Sequence, residues 1–267
     1  MNRIVVALPL VALVSFASAA QRASRPSPPS PAATPPAART ERAVPFKVGE
    51  TLTNDVSWSS VLTAGTAVTT VMEKKPSFNS SAYYIVAEGR PIPLVARLYT
   101  LSYKMDTLVD SLTLLSERGS LSSEEGTRHR LGTTRFDRPA RRAFFELQTE
   151  TMVKADFAVP PQAQDGLSAV YALRAMMFKA GDLVTIPVAN DGALFSVRVQ
   201  VGSLERVKVP LGELSAWNLK AAIVDAQGEG VGRNVAMWIS NDARRLPVKL
   251  QAELPAGEFV LALREAR

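Results

Sequence analysis

The sequence predicts a mainly β domain in which a curved antiparallel sheet wraps one short α-helix. Three observations carry this. From Glu50 onward, apolar residues alternate with period two in run after run. Gly, Pro, Asn and Asp punctuate those runs, giving roughly 11 to 13 short strands, the spacing of a meander, a sandwich or an open barrel. One segment, 165–179, is instead apolar around most of a helix circumference, and such a helix needs cover on more than one side. Alone among strands, it finds that cover only if a sheet bends over it.

The strands follow in order. Leu52, Val56 and Trp58 share one face of the first, with Asn54 interrupting them. A turn at Ala64-Gly65 precedes a Thr/Val-rich strand over 66–71, and strands are expected over 83–87, 94–104 and 112–117. The polar stretch 126–137 reads as an exposed or edge strand. Strands over 142–148 and 151–157 close the first half. In the second half, 183–188 and 194–201 flank Asn190-Asp191-Gly192, a hairpin signal because Asn and Gly accept positive φ. Strands over 219–224 and 235–240 flank a glycine-rich loop, and those over 248–254 and 259–263 flank Pro255-Ala256-Gly257.

In the helix, Asp165 is the candidate N-cap. Leu167, Val170, Tyr171, Leu173, Met176, Met177 and Phe178 supply its apolar surface. Arg174 falls on the same stripe. A guanidinium there either snorkels or pairs with a carboxylate, or else faces a cavity and meets an anionic ligand.

The N-terminus carries different information. Met1-Asn2-Arg3 precedes an apolar run from Ile4 to Ala20, and Ala17-Ser18-Ala19 is a small-x-small cleavage signal. Residues 1–19 are therefore expected to be a signal peptide cleaved after Ala19, making the protein periplasmic or secreted. Membrane contact is expected only if that segment is retained. Residues 20–43 are almost entirely Ala, Pro, Ser, Thr and Arg, a composition that cannot bury enough apolar surface to order itself, and read as a Pro/Ala-rich tether. Residues 44–267 remain as a single β domain. The formal net charge of +6 is concentrated upstream, since Arg3 and a net +3 in residues 20–43 leave only +2 for the domain. That is no electrostatic footprint for nucleic acid.

Reactive constellations are sparse. With no cysteine, disulfides, thiolate metal sites, cysteine nucleophiles and a cysteine lipid anchor are excluded. The one histidine, His129, lies between Arg128 and Arg130 and reads as solvated. No Gly-x-Ser-x-Gly elbow occurs. Gly228-Glu229-Gly230-Val231-Gly232 lacks the Lys-Ser/Thr of a phosphate loop and reads as a hairpin loop. Asn79-Ser80-Ser81 is a bare acceptor pattern for glycosylation. Asp106, Asp110, Glu124 and Glu125 are the acids available for glycoside-type chemistry, which needs two carboxyls converging in one cleft. No metal or organic cofactor is expected.

Three segments together carry a resemblance. Phe46-Lys47-Val48-Gly49-Glu50 leads toward Val56-Ser57-Trp58 and Ala64-Gly65-Thr66. The run from Asp165 to Arg174 forms the helix. Met237-Trp238-Ile239-Ser240-Asn241-Asp242-Ala243-Arg244-Arg245-Leu246-Pro247-Val248-Lys249 lies near the C-terminus. In this order they resemble the bacterial exported family catalogued as domain of unknown function 3108, over about residues 45 to 263. The resemblance implies an envelope protein with no established activity, and a curved sheet around a helix similar to the open half-barrels of lipoprotein carriers. Within the last segment, an Asp242–Arg pair is expected to hold the corner before Pro247.

The expectation for function is a non-catalytic binding module for an apolar or amphipathic ligand, an envelope lipid or polymer, held between sheet and helix. Tyr171, Arg174, Met177 and Trp238 are its candidate ligand-binding residues, methionine suiting an irregular apolar cavity. The alternative is a structural or interaction protein of the envelope that meets a protein partner through sheet edges or loops.

Overall fold

The computed structural model describes residues 40–58, 62–77, 80–98, 101–254 and 257–267. The expected signal segment, residues 20–39 of the expected tether, Asn79 and Pro255-Ala256 lie outside these residues.

The described strands form one 14-stranded antiparallel sheet. Its first half comprises β1 (Thr51–Trp58), β2 (Leu62–Ser77), β3 (Ser80–Pro91), β4 (Leu101–Asp110), β5 (Ser116–Glu125), β6 (Arg128–Asp137), β7 (Arg142–Gln148) and β8 (Met152–Ala158). Its second half comprises β9 (Leu183–Asn190), β10 (Ala193–Val209), β11 (Gly212–Val224), β12 (Arg233–Ser240), β13 (Pro247–Leu254) and β14 (Gly257–Ala266). Each half is a meander of sequential neighbours, and the two are stitched together by β1 pairing with β14. The outer edges of the sheet are therefore β8 and β9, which are consecutive in the chain.

The sheet is curved, as expected from the sequence. The segment between β8 and β9 runs from one edge of the sheet to the other, and Gln164, six residues beyond β8, already pairs with Val188 of β9, so the edges approach each other. The segment carries the helix α2 (Gly166–Arg174) across the concave side. Just before α2, Gln164 pairs in parallel with Val188, its N–H bonding to Pro187 O at 2.8 Å and its carbonyl accepting from Ala189 N at 2.8 Å. The sheet stays open, but Arg130 on β6 reaches Asp191 in the β9–β10 turn at 3.3 Å. That turn has two residues, with φ +49 at Asp191 and +78 at Gly192, the mirror-image geometry that the Asn-Asp-Gly signal predicts.

Several local expectations need correction. Residues 94–104 do not form one strand. Pro93 opens a short helix, α1 (Pro93–Leu98), before β4 begins, because proline tolerates the first helical position and lacks a ladder donor. The stretch 126–137 contains β6, which is exposed but paired on both sides, so it is no edge. Residues 112–115 form a turn that precedes β5. The helix stops at Arg174 instead of Lys179.

Apolar side chains collect in several clusters. Inside, Phe46, Val71, Tyr83, Ile85, Val109 and Leu114 pack with Leu167 and Tyr171, while Ile186, Val188, Val199, Val201, Leu219 and Ile239 pack with Ala169 and Leu173. Further along, a register shift between Val201 and Leu204 bends the long β10–β11 hairpin. Val207, Val209 and Ala216 thereby cover Leu52, Val248 and Leu263 in a second core.

Candidate functional site

The site begins with α2. Asp165 caps it as the sequence predicts: Oδ1 accepts from Leu167 N at 2.8 Å and Ser168 N at 3.0 Å. Ser168 completes a capping box by accepting from Asp165 N at 3.0 Å. The hydroxyl of Thr107 donates to Oδ2 at 2.6 Å, fixing the cap to β4. Gly119 on β5 is required here, since a Cβ would lie 2.7 Å from that of Asp165. Burial pulls the Arg138 guanidinium below its ordinary value, and Asp165 and Glu117 oppose that pull.

The two flanks of α2 differ. Leu167 and Tyr171, one turn apart, face the first half of the sheet. Phe46 fills the space between Tyr83 and Tyr171 with edge-on contacts at 5.2 and 4.8 Å. Burial pushes the Tyr171 phenol well above its usual range, opposed by neighbouring Arg174. Ala169, Val170 and Leu173 face the second half, and there the packing stops short. An apolar chamber of about 300 Å³ lies between this flank and strands β9 to β13. Phe195, Val197 and Val199 on β10 and Leu219, Ala221 and Ile223 on β11 form its floor. Val231, in the glycine-rich loop, stands at the rim and is 41% exposed. That loop is organised by Asp225, whose Oδ1 accepts from Gln227 N at 2.9 Å and Glu229 N at 2.8 Å.

Among the described residues of the lining, Asn190 is the only polar side chain and none can ionise. The chamber can therefore bind apolar matter, but its own walls offer no acid, base or nucleophile.

The four predicted ligand residues are not brought together, and none lines the chamber. Tyr171 belongs to the solid core on the opposite flank. Arg174 is 0% exposed and pairs with Glu50 through two bonds of 2.6 and 3.0 Å, so it is the carboxylate-paired alternative that holds. Its Nε and Nη2 also donate to the carbonyls of Arg245 and Arg244, each at 3.0 Å. Met177 lies beyond the end of the helix and is 87% exposed. Trp238 packs against the second core, where its indole N–H donates to Glu205 at 3.0 Å and Lys249 sits over the ring.

Residues 240–246, within the Met237–Lys249 segment, hold a structural corner. Asp242 holds the corner through backbone N–H groups of Arg244 and Arg245, at 3.0 and 2.9 Å, and through the Ser240 hydroxyl. The expected Asp–Arg side-chain pair is not the device. The Arg245 guanidinium turns instead to the carbonyl of Arg174 at 2.8 Å, capping the end of α2. The loop and the helix end thus exchange hydrogen bonds.

The acids do not converge. Asp106 bonds Arg118 and Ser120, Asp110 holds the turn at Leu112 and Thr113, and Glu124 and Glu125 bond Ser102 and Tyr103. Asp106 stands four residues along β4 from Asp110 and four from Ser102, the register partner of Glu124, about 13 Å in each direction. His129 is exposed beside Glu124. No group of three or more metal-binding side chains gathers among the described residues.

A barrel-like antiparallel sheet, open at its edges and curled over a helix and an apolar chamber, is the class these features define. The chain belongs to the family described as Protein of unknown function (DUF3108), whose model matches residues 53–264. Among solved structures it is similar to a beta-barrel-like protein of domain of unknown function DUF1849 from Brucella abortus. That match has a TM-score of 0.51 and 10% identity, and covers 82% of this chain and 97% of that one. The likeness is one of fold. A looser match, with a TM-score of 0.37 and 9% identity, covers 85% of this chain and all (100%) of a candidate lipoprotein from Parabacteroides distasonis. No curated protein matches the sequence.

Proposed function

We propose that this protein is an exported, non-catalytic binding module of the bacterial envelope that holds an apolar or amphipathic ligand in the chamber beneath α2. The chamber is the observation that carries the reading. At about 300 Å³ it is twice the ~150 Å³ of an engineered apolar cavity that stays dry and takes up benzene. It also falls at the lower end of the range for small-molecule sites, ~300–1,000 Å³. Its lining gives a ligand hydrophobic contact and one hydrogen-bonding side chain, the pattern of a binding pocket. The signal-like N-terminus and the Pro/Ala-rich segment that follows support export.

Titration of the protein with the uncharged fluorescent probe N-phenyl-1-naphthylamine tests the reading. Saturable enhancement is expected, and Ala221→Trp, which fills the chamber floor, is expected to abolish it. Enhancement that persists unchanged in Ala221→Trp would count against the chamber as the site.

A specific observation also favours the interaction reading. β8 pairs on one side only, and Met152 and Val153 on it are 58% and 51% exposed. Such an edge is a template for another chain. Val153→Lys should abolish any partner crosslink that forms along β8. An unchanged crosslink pattern would move that partner elsewhere.

A further inference from the structure

The chamber shares two of its walls, Gly166 and Asn190, with a second and smaller space. This recess, about 50 Å³, lies between the N-terminus of α2 and strands β5 to β7. Where the chamber is apolar, the recess is mixed: Met105, Leu121, Phe145 and Leu147 line it together with Ser123, Thr134, Arg130, Asp165 and Asp191. An apolar space that shares a wall with a smaller one carrying neutral hydroxyls has the layout needed by a molecule with a tail and a small head.

The recess also defines the head. A water-sized group needs at least ~10–15 Å³, so the recess takes a hydroxyl or an amide and has no room for a phosphocholine or a sugar. Its charges are already matched. Arg130 pairs with Asp191 at 3.3 Å. Asp165 is satisfied by the N–H groups of Leu167 and Ser168 and the Thr107 hydroxyl, with the positive end of the helix dipole beside it. A charged head of either sign would lose part of its hydration there and find no unpaired counter-ion. Ser123 and Thr134 are buried, and their hydroxyls, with the Asn190 amide, offer neutral donors and acceptors.

We propose that the ligand is a single-chain amphiphile with a small uncharged hydrogen-bonding head, its chain in the apolar chamber and its head in the recess beside Ser123, Thr134 and Asn190. This rests on the chamber being the ligand site.

The test displaces N-phenyl-1-naphthylamine from the full chain at neutral pH with decan-1-ol, decanoate and decylamine, which share one chain length and differ in head. Decan-1-ol is expected to half-displace the probe at a concentration ~10-fold below either ion, a gap of about 1.4 kcal/mol. Partition into any greasy pocket would also favour the alcohol, so the deciding arm is Thr134→Val. It removes a recess hydroxyl at constant shape and leaves the chamber intact. In that variant decan-1-ol should weaken ~5-fold, about 1 kcal/mol, with probe affinity unchanged. Equal displacement by decanoate or decylamine, or an unaltered decan-1-ol response in Thr134→Val, overturns the head assignment while leaving the chamber standing. A protein that fails to bind the probe, or binds it equally well as Ala221→Trp, overturns the chamber reading and this inference with it.

Discussion

The two flanks of α2 face the same curved sheet and are packed in opposite ways. Toward the first half, Leu167 and Tyr171 meet Phe46 and Tyr83, and large rings fill the space. Toward the second half, Ala169 and Val170 meet Ala221 and Val197, and a chamber remains. The backbone geometry of one helix supplies both environments, so side-chain volume separates a structural core from a site. The solid flank also carries the expensive feature, the buried Arg174–Glu50 pair, with phenyl and phenol rings of Phe46 and Tyr171 near the guanidinium at 5.4 and 5.0 Å.

That contrast can be broken most severely at Glu50. Glu50→Ala leaves the Arg174 guanidinium buried without its carboxylate and should cost about 3–5 kcal/mol, read from the urea midpoint. Replacing both partners with methionine should recover much of that loss. A Glu50→Ala protein of unchanged stability would mean that the pair is not buried as described.

The contrast is sharpened by inserting the same ring on each flank. Val71→Phe overpacks the solid core and should cost about 1–3 kcal/mol. Ala221→Phe enters the chamber and should cost less than ~1 kcal/mol, since it fills space without displacing neighbours. Equal losses would contradict the difference in packing.

The smallest effect concerns acid. Burial raises the Asp110 carboxyl. Bonds from Ser80, the Thr113 hydroxyl and N–H, and Leu112 N–H outweigh that effect and hold it below the usual range. The turn so formed sets Leu114, at φ +59, into the solid core. Because the folded-state value is the lower one, the stabilisation is complete above the ordinary carboxylate value of about 4 and fades as pH falls through the folded value. Asp110→Asn should flatten this part of the stability profile, by under ~1 kcal/mol given partial solvent screening. An identical acid limb in the variant would assign the effect to another group.

Much of this architecture is legible in the residues. Asp165 and the all-round apolar run of α2 announce a capped helix in need of cover, and Asn190-Asp191-Gly192 announces a hairpin. The far part of the β10–β11 hairpin, residues 202–218, is not legible, because the bulge after Val201 shifts the alternation and breaks the period there. Arg174 could be read as carboxylate-paired but its partner could not, since Glu50 lies 124 residues away. The chamber was the least legible feature. It arises from small side chains on α2 and β11 that sequence cannot align, whereas Met177 and Trp238 are conspicuous by type and lie on the surface and against the second core.

The pairing of β1 with β14 has a consequence for how the chain comes to fold. Every other strand pair joins sequence neighbours and can zip as it emerges, but this one closes a loop of nearly the whole domain. In a chain delivered N-terminus first, β1 keeps an open side through the arrival of all the other strands, and the topology places the slowest contact at the middle of the sheet. A truncation that removes Gly257–Ala266 would therefore expose two unsatisfied strands at the centre of the fold, and make a molecule poised to self-associate through them.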